Sequence, residues 1–246
     1  MAKLKRAYFC TSCGYETPKW LGKCPACGEW NTISEHVVAK ESSSVASRLT
    51  SVPRVEPRKV QDIEEHSTRR IDTGNKEVNR VLGGGLVKGS LVLLCGDPGI
   101  GKSTILLQLC QYIAAGFSLL YVSGEESAVQ IKLRAARLGV SGENITVITE
   151  TETQSVCEYI MSYKPDLVMI DSIQTMQIAE LSSSPGSIVQ VRESTNMLLR
   201  TGKSLEIPII IVGHVNKGGE IAGGHWTGGL IGFAAGHNAE GVLTIN

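Results

Sequence analysis

Leu91-Val92-Leu93-Leu94-Cys95-Gly96-Asp97-Pro98-Gly99-Ile100-Gly101-Lys102-Ser103-Thr104 is the stretch on which the fold turns. Residues 91–94 form a short, continuous apolar run, the pattern of a strand buried on both faces. Residues 96–103 satisfy Gly-x-x-x-x-Gly-Lys-Ser/Thr, and an amphipathic stretch of helix length follows from 103 to 115. Strand, glycine-rich turn and helix thus succeed one another without a break. Glycines let such a turn face successive backbone N–H groups inward, and the helix start adds the positive end of its macrodipole. The turn is suited to an anion.

Within the turn each residue type has a use. Gly96, Asp97, Pro98, Gly99, Ile100 and Gly101 form an amide-lined cradle. Lys102 is expected to neutralise β and γ phosphates, Ser103 to offer its hydroxyl to Mg²⁺, and Thr104 to reach an α-phosphate oxygen. The expected ligand is ATP with Mg²⁺. A chance glycine-rich turn is the competing reading; at a glycine usage of about 7% a random match in a chain of this length is on the order of one in a hundred. The strand before it and the helix after it lower that figure further.

Outward from the cradle, the apolar runs 119–122, 145–148, 167–170 and 209–212 alternate with helix-length stretches at 127–138, 153–163 and 187–204. Gly116 and Gly139 stand where helices would stop. Alternation of this kind predicts an α/β fold with a mostly parallel sheet and right-handed crossovers. Ligands of such sheets bind beyond the carboxyl ends of the strands, so acids at those ends are the next candidates. Asp171 closes the 167–170 run and is expected in the outer shell of Mg²⁺, against the plainer reading of a strand-end aspartate. Glu125 and Glu126 follow the run that ends at Val122. Glu125 is the candidate to orient or deprotonate water; Glu126, beside Ser127, also suits a helix N-terminus electrostatically.

The N-terminus follows a different rule. Cys10-x-x-Cys13 and Cys24-x-x-Cys27 are separated by ten residues, and each pair is followed by glycine, Gly14 or Gly28. Two such pairs can close a tetrahedral thiolate shell, so a structural Zn²⁺ is expected, with free thiols or a redox pair as alternatives. Tyr8, Phe9, Tyr15, Trp20 and Trp30 are available to pack a very small core around it. The other three of the seven cysteines, Cys95, Cys110 and Cys157, lie in apolar stretches, which argues against a disulfide framework.

Bulk properties set the remaining bounds. With 246 residues and 42% hydrophobic side chains, one full core and a small extra module are affordable. A formal net charge of zero leaves any nucleic-acid contact to local clusters of Lys and Arg. No apolar leader follows Met1 and no run of eighteen apolar residues occurs, so a soluble, cytoplasmic protein without membrane contact is expected. The organisation expected is a zinc-binding module at 1–36, a linker rich in Ser, Glu, Arg and Pro at 37–70, an ATPase core at 71–223, and an atypical glycine-rich tail at 224–246 without clear periodicity.

Several segments together resemble the RadA (Sms) family of bacterial DNA-repair ATPases. They are Cys10-Thr-Ser-Cys-Gly, Lys19-Trp-Leu-Gly-Lys-Cys-Pro-Ala-Cys-Gly-Glu-Trp-Asn-Thr, Arg80-Val-Leu-Gly-Gly-Gly-Leu-Val, the cradle, Tyr121-Val-Ser-Gly-Glu-Glu-Ser, Asp171-Ser-Ile-Gln-Thr, Gln190-Val-Arg-Glu and Val212-Gly-His-Val. The resemblance implies a RecA-like P-loop NTPase preceded by a zinc-ribbon-like module. It further implies a homo-hexameric ring on single-stranded or branched DNA, ATP-driven branch migration in recombinational repair, and partnership with a recombinase of the RecA type. The likeness ends near residue 223: Val215-Asn216-Lys217 stands where the family has Val-Thr-Lys, and Gly224-His225-Trp226 stands where it has Pro, a basic residue and Leu-Glu-His. The family's Lys-Asn-Arg-Phe-Gly motif and Lon-protease-like domain do not occur in this sequence, so ring assembly depends on what the tail permits.

Arg192 and Lys217 are the leading DNA-contact candidates, ahead of Lys203, and each is set against an ordinary solvated face. His214, at the end of the fifth apolar run, stands where RecA-like proteins place a γ-phosphate switch; a satisfied structural histidine is the alternative. Lys3, Lys5, Arg6, Lys19 and Lys23 surround the cysteine knuckles, where they serve either phosphates or a protein partner. Two rival readings stand beside the repair ATPase. One is a regulatory or assembly ATPase that never acts on DNA; the other is a truncated ATP-binding fragment without motor activity.

Overall fold

The computed structural model describes residues 5–10, 15–26, 28–38, 59, 70–113, 115–181, 183–214 and 231–235. The chain divides into two compact units, Met1–Thr68 and Arg69–Asn246. Each is described by itself.

The second unit is built on a six-stranded sheet in the order β6-β5-β7-β8-β4-β9, with every pairing parallel. Its strands are β4 (Leu91–Gly96), β5 (Leu119–Ser123), β6 (Ile145–Ile148), β7 (Leu167–Asp171), β8 (Ile209–His214) and β9 (Ile231–Ala235). Helices α1 (Lys76–Val81), α2 (Lys102–Ile113), α3 (Ala128–Arg137), α4 (Thr153–Tyr163) and α5 (Ile188–Leu205) accompany it. The continuous apolar runs have a direct cause. Successive side chains of a strand alternate between faces, and both faces are covered. Val92, Leu94, Leu119, Tyr121, Met169 and Val212 pack with Leu106 and Cys110 of α2 and Ile131 of α3. Their neighbours Leu93, Cys95, Leu120, Val122, Ile170 and Ile211 pack on the other face with Val156 and Ile160 of α4 and Leu198 of α5.

Local signals end the helices in different ways. Ser127 caps α3 through a reciprocal bond with Gln130, and Gly139 takes φ +73° just past its end, as a C-terminal glycine should. By contrast α4 and α5 stop on Lys164 and Glu206, left-handed residues that carry side chains and that composition does not flag. Gly116 follows α2 without a positive φ.

Two elements depart from the sequence reading. Helix α1 is capped by Asn75, whose side chain accepts from the N–H groups of Glu77 and Val78. Strand β9 lies inside the glycine-rich tail, where it pairs with β4 from Val92↔Ile231 to Gly96↔Ala235. Its placement is tertiary: Ile231-Gly232-Phe233-Ala234-Ala235 has no alternation, and the paired edge of β4 organises it. The edge of β4 that does not pair with β8 is therefore covered. Among the described residues no helix is long and apolar enough to cross a membrane.

The first unit carries a three-stranded antiparallel sheet, order β2-β1-β3, from β1 (Lys5–Cys10), β2 (Glu16–Thr17) and β3 (Ile33–Val38). Among the described residues its buried apolar cluster is Cys10, Cys24 and Ile33, with Tyr8 packed against it. The expected aromatic core is therefore corrected: Trp20 and Trp30 are 58% and 70% exposed, and Tyr15 is also at the surface. Cysteines occupy the interior because a unit this small has room for little else.

Candidate nucleotide site

Because β4, β5, β7 and β8 run in parallel, their carboxyl ends share one edge, and the register sets Gly96 opposite His214 and Ser123 opposite Asp171. The chain leaves β4 for β5 on one side and β9 pairs with β4 on the other, and ligands of such sheets bind beyond the carboxyl ends of the strands. The cradle lies there. Gly99 and Gly101 adopt φ +80° and +101°, and a Cβ at either would meet nothing within 4 Å. Backbone conformation, not crowding, selects glycine at both positions.

Lys102 is the first residue of α2 and is only 5% exposed. Its Nζ donates to the carbonyls of Gly96 (2.9 Å) and Asp97 (2.7 Å), so the ammonium is folded back along the loop that would receive phosphate. Burial lowers its pKa below the ordinary lysine range, while the charges of Asp171, Glu125 and Asp97 oppose that shift. A cation held at a desolvation cost beside open amides has most to gain from an anion. Ser103 and Thr104 follow, half-buried, in the first turn of α2.

Asp171 ends β7 nearly buried, and the Tyr121 hydroxyl donates to its Oδ2 at 2.7 Å. Burial, then the adjacent Asp171 charge, pushes the Tyr121 phenol far above its usual range, so it stays a donor. That bond fixes the rotation of the carboxylate. Ser103 and Asp171 are the residues that could hold a hard cation here, since Mg²⁺ prefers hydroxyl, carboxylate and water oxygens.

Glu125 and Glu126 part company. Ser172 donates to Glu125 Oε1 at 2.7 Å, and His214 Nε2 lies 3.3 Å from the same oxygen. Burial alone would raise the Glu125 pKa; the bonds from Ser172 and His214 and the charges of His214 and Lys102 outweigh it, holding the carboxyl below its ordinary value. Glu126 instead ion-pairs with Arg134 of α3, and its N–H donates to Ser123 Oγ at 3.0 Å. One acid serves the carboxyl edge and the other the helix.

Residues that sequence reasoning missed support this edge. A Cβ on Gly124 would sit 2.1 Å from Thr175 Oγ1, so only glycine lets the segment after β7 lie against the end of β5. Thr175 Oγ1 donates to the Ser172 carbonyl (2.7 Å), and Gln174 Nε2 reaches the His214 carbonyl (3.4 Å). The motif Asp171-Ser-Ile-Gln-Thr carried the signal, but only contacts assign each member its task.

The DNA candidates are dispersed. Arg192 is exposed in the second turn of α5 and pairs with Glu193 at 2.9 Å. The loop before it is pinned by buried Gln190, which bonds the backbone of Ile178, Leu181 and Ser183. Lys203 lies at the opposite, amino-terminal edge of the sheet: its Cα is 3.5 Å from where a Cβ on Gly89, just before β4, would stand. His214 closes β8 beside Glu125, and Lys217 lies outside the described residues.

In the ribbon, two turns repeat. Cys10 N–H donates to Tyr15 O (2.9 Å) and Cys24 N–H to Glu29 O (2.8 Å), and both cysteines are fully buried. The Thr32 hydroxyl lies 3.2 Å from Cys10 Sγ. Buried thiols on paired tight turns fit a thiophilic metal; Cys13 and Cys27 lie outside the described residues.

Comparison with known proteins agrees with both units. A family described as an AAA domain matches residues 56–220, and one described as a rubredoxin metal binding domain matches residues 8–35. DNA repair protein RadA of Bacillus subtilis (strain 168) is 49% identical over 226 residues, which is 91% of this chain and 49% of that protein. DNA repair protein RadA of Aquifex aeolicus is 45% identical over 223 residues, with the same shares covered. That of Haemophilus influenzae is 43% identical over 227, covering 91% and 50%. The chain thus spans about half the length of the curated relatives it matches. Among solved structures, the KaiC-like protein PH0186 from Pyrococcus horikoshii OT3 matches with a TM-score of 0.51 at 21% identity, covering 63% of this chain and 75% of that one. That likeness concerns the fold alone. An AAA domain match through more than half of the chain, on a parallel sheet with its cradle at the carboxyl edge, leads to one kinship: the chain belongs to the AAA domain family, and its sequence is similar to about half the length of bacterial DNA repair protein RadA.

Proposed function

We propose that this chain is a DNA-dependent ATPase of recombinational repair, which couples ATP hydrolysis to branch migration of recombination intermediates. The observation that carries the reading is the meeting of Lys102, Asp171 and the Glu125–Ser172–His214 group at one sheet edge, beyond an open amide-lined loop.

In this reading the amides of residues 96–104 and Lys102 hold the triphosphate, and phosphate oxygens replace the Gly96 and Asp97 carbonyls as partners of Nζ. Ser103 and Asp171 would hold Mg²⁺, which would supply charge neutralisation to the triphosphate. Glu125, kept ionised by its two donors, orients water and accepts its proton at Oε1 or Oε2. His214, between Glu125 and the segment containing Lys217, passes the state of the site toward DNA, which Arg192 and Lys217 contact. Zn²⁺ on Cys10, Cys13, Cys24 and Cys27 holds the ribbon together. The setting proposed is the cytoplasm, as a homo-hexamer working with a recombinase of the RecA type.

The test is ATP turnover of the wild-type chain and of Lys102→Ala, each with and without single-stranded DNA. The reading predicts turnover that DNA stimulates and that Lys102→Ala abolishes. Unimpaired hydrolysis in the variant removes the cradle assignment; wild-type hydrolysis indifferent to DNA turns the reading toward a regulatory or assembly ATPase.

A further inference from the structure

The ribbon carries a surface that neither the nucleotide site nor the metal-binding turns use. Large apolar side chains cluster on its outside: Trp30 is 70% exposed and Trp20 58%. Both indoles converge on Gly22, since a Cβ there would lie 3.7 Å from Cη2 of Trp20 and 3.9 Å from Cζ3 of Trp30. Two exposed rings thus approach the same residue, which carries no side chain of its own.

These rings are not loose. Trp20 Nε1 donates to the Ile33 carbonyl at 3.1 Å, which anchors that indole by its polar end while the residue stays more than half exposed. Trp30 is held through backbone pairing: it bridges Lys23, and Asn31 N–H donates to the Gly22 carbonyl at 2.8 Å. Lys23 Nζ lies 5.6 Å from the centroid of the Trp30 ring. Lys19, next to Trp20 in sequence, and Lys23 are both exposed, as is the acid Glu29 that precedes Trp30. Exposed apolar area of this kind in a unit with so few buried residues is costly unless something covers it.

From this arrangement we infer that Trp20 and Trp30 form a stacking platform for single-stranded nucleic acid. Every unpaired base has a π-face that an exposed indole can take, and a backbone phosphate follows each base at the reach of a lysine. The pre-set rings reduce the ordering cost of binding. Duplex DNA offers no free base faces and is not accepted. The platform is independent of the ATPase reading, because it needs neither nucleotide nor the second unit.

The experiment uses the full chain carrying Trp226→Phe, so that of the three tryptophans only Trp20 and Trp30 report. Oligothymidine longer than about 16 nucleotides is titrated while indole fluorescence is followed, with the matching duplex as control. The platform predicts quenching by the single strand alone. It also predicts at least tenfold weaker binding in Trp30→Ala, near-wild-type binding in Trp30→Phe, and a shallower salt dependence in Lys23→Ala. Trp30→Ala removes an exposed ring and should not disturb folding; unchanged basal ATPase and an unchanged melting transition verify that. Single-strand binding without quenching, or equal affinity of Trp30→Ala, overturns the inference. So does loss in Trp30→Ala of binding to a purified RecA-type recombinase while oligothymidine affinity stays intact, since the surface would then be a protein contact. A wild-type ATPase that DNA does not stimulate, together with quenching, would remove the proposed function and leave the platform standing.

Discussion

The two edges of the parallel sheet are made from the same strands and differ in everything else. At the carboxyl edge β4 opens into exposed residues 97–100, Lys102 is buried against them, and Glu125, Ser172 and His214 share one hydrogen-bonded group. At the amino edge polar groups are tied off locally: Asp166 accepts from the backbone and hydroxyl of Ser118 at 2.8 Å each, and α4 and α5 end in left-handed residues. Parallel strands joined by helices make this asymmetry unavoidable. Helices begin at the carboxyl edge, where their free N–H groups attract anions, and finish at the other. One edge holds charges in tension for a ligand; the other settles them for stability.

Substitutions should therefore separate cleanly by edge. The largest effect is expected of Lys102→Ala, which abolishes turnover in a steady-state ATPase assay while the melting temperature holds or rises, because a desolvated ammonium is removed. Glu125→Gln should lower kcat by about 10²- to 10⁴-fold with nucleotide binding retained, the range of a lost general base. A smaller loss, on the order of tenfold in the Mg²⁺ dependence of ATP binding, is expected for Tyr121→Phe, which frees the Asp171 carboxylate to rotate. Equal metal dependence in that variant would show that Tyr121 serves packing alone.

The remaining predictions are finer. His214→Ala removes a hydrogen bond and a positive charge that help Ser172 and Lys102 hold Glu125 down against burial. Its pKa then rises from that lowered position, so the acid limb of the pH–rate profile moves to higher pH; a stationary limb would detach His214 from Glu125. At the opposite edge, Asp166→Ala should cost about 1 kcal/mol of stability in denaturant unfolding, with kcat unchanged. A change in kcat there would break the contrast between the edges.

The strands and long helices were legible because burial on both faces demands uninterrupted apolar runs, as in Leu91–Leu94 and Leu167–Ile170, and because Ser127 and Gly139 are local stop and start signals. The cradle was legible for a related reason: its glycines and lysine act within nine consecutive residues. What escaped notice acts across sequence distance. Tyr121 looks like one more apolar strand residue until β7 is placed beside β5 and its hydroxyl meets Asp171. Gly124 looks like a turn glycine until Thr175 is found against it. Trp20 and Trp30 read as core residues by composition, and the folded unit leaves them 58% and 70% exposed while Cys10, Cys24 and Ile33 are buried.

The amino-acid sequence alone determined the alternation of elements, the phosphate cradle, the pairing of cysteines and the two acids from which a base had to be chosen, because each depends on neighbours along the chain. Tertiary structure decided which acid serves the carboxyl edge, that Ser172 and His214 hold it, that Lys203 lies at the far edge, and that a strand from the glycine-rich tail covers β4. The physical reason is the same in each case. Hydrogen bonds and charge interactions act over a few ångströms, and only the folded sheet brings residues some fifty to ninety positions apart within that reach.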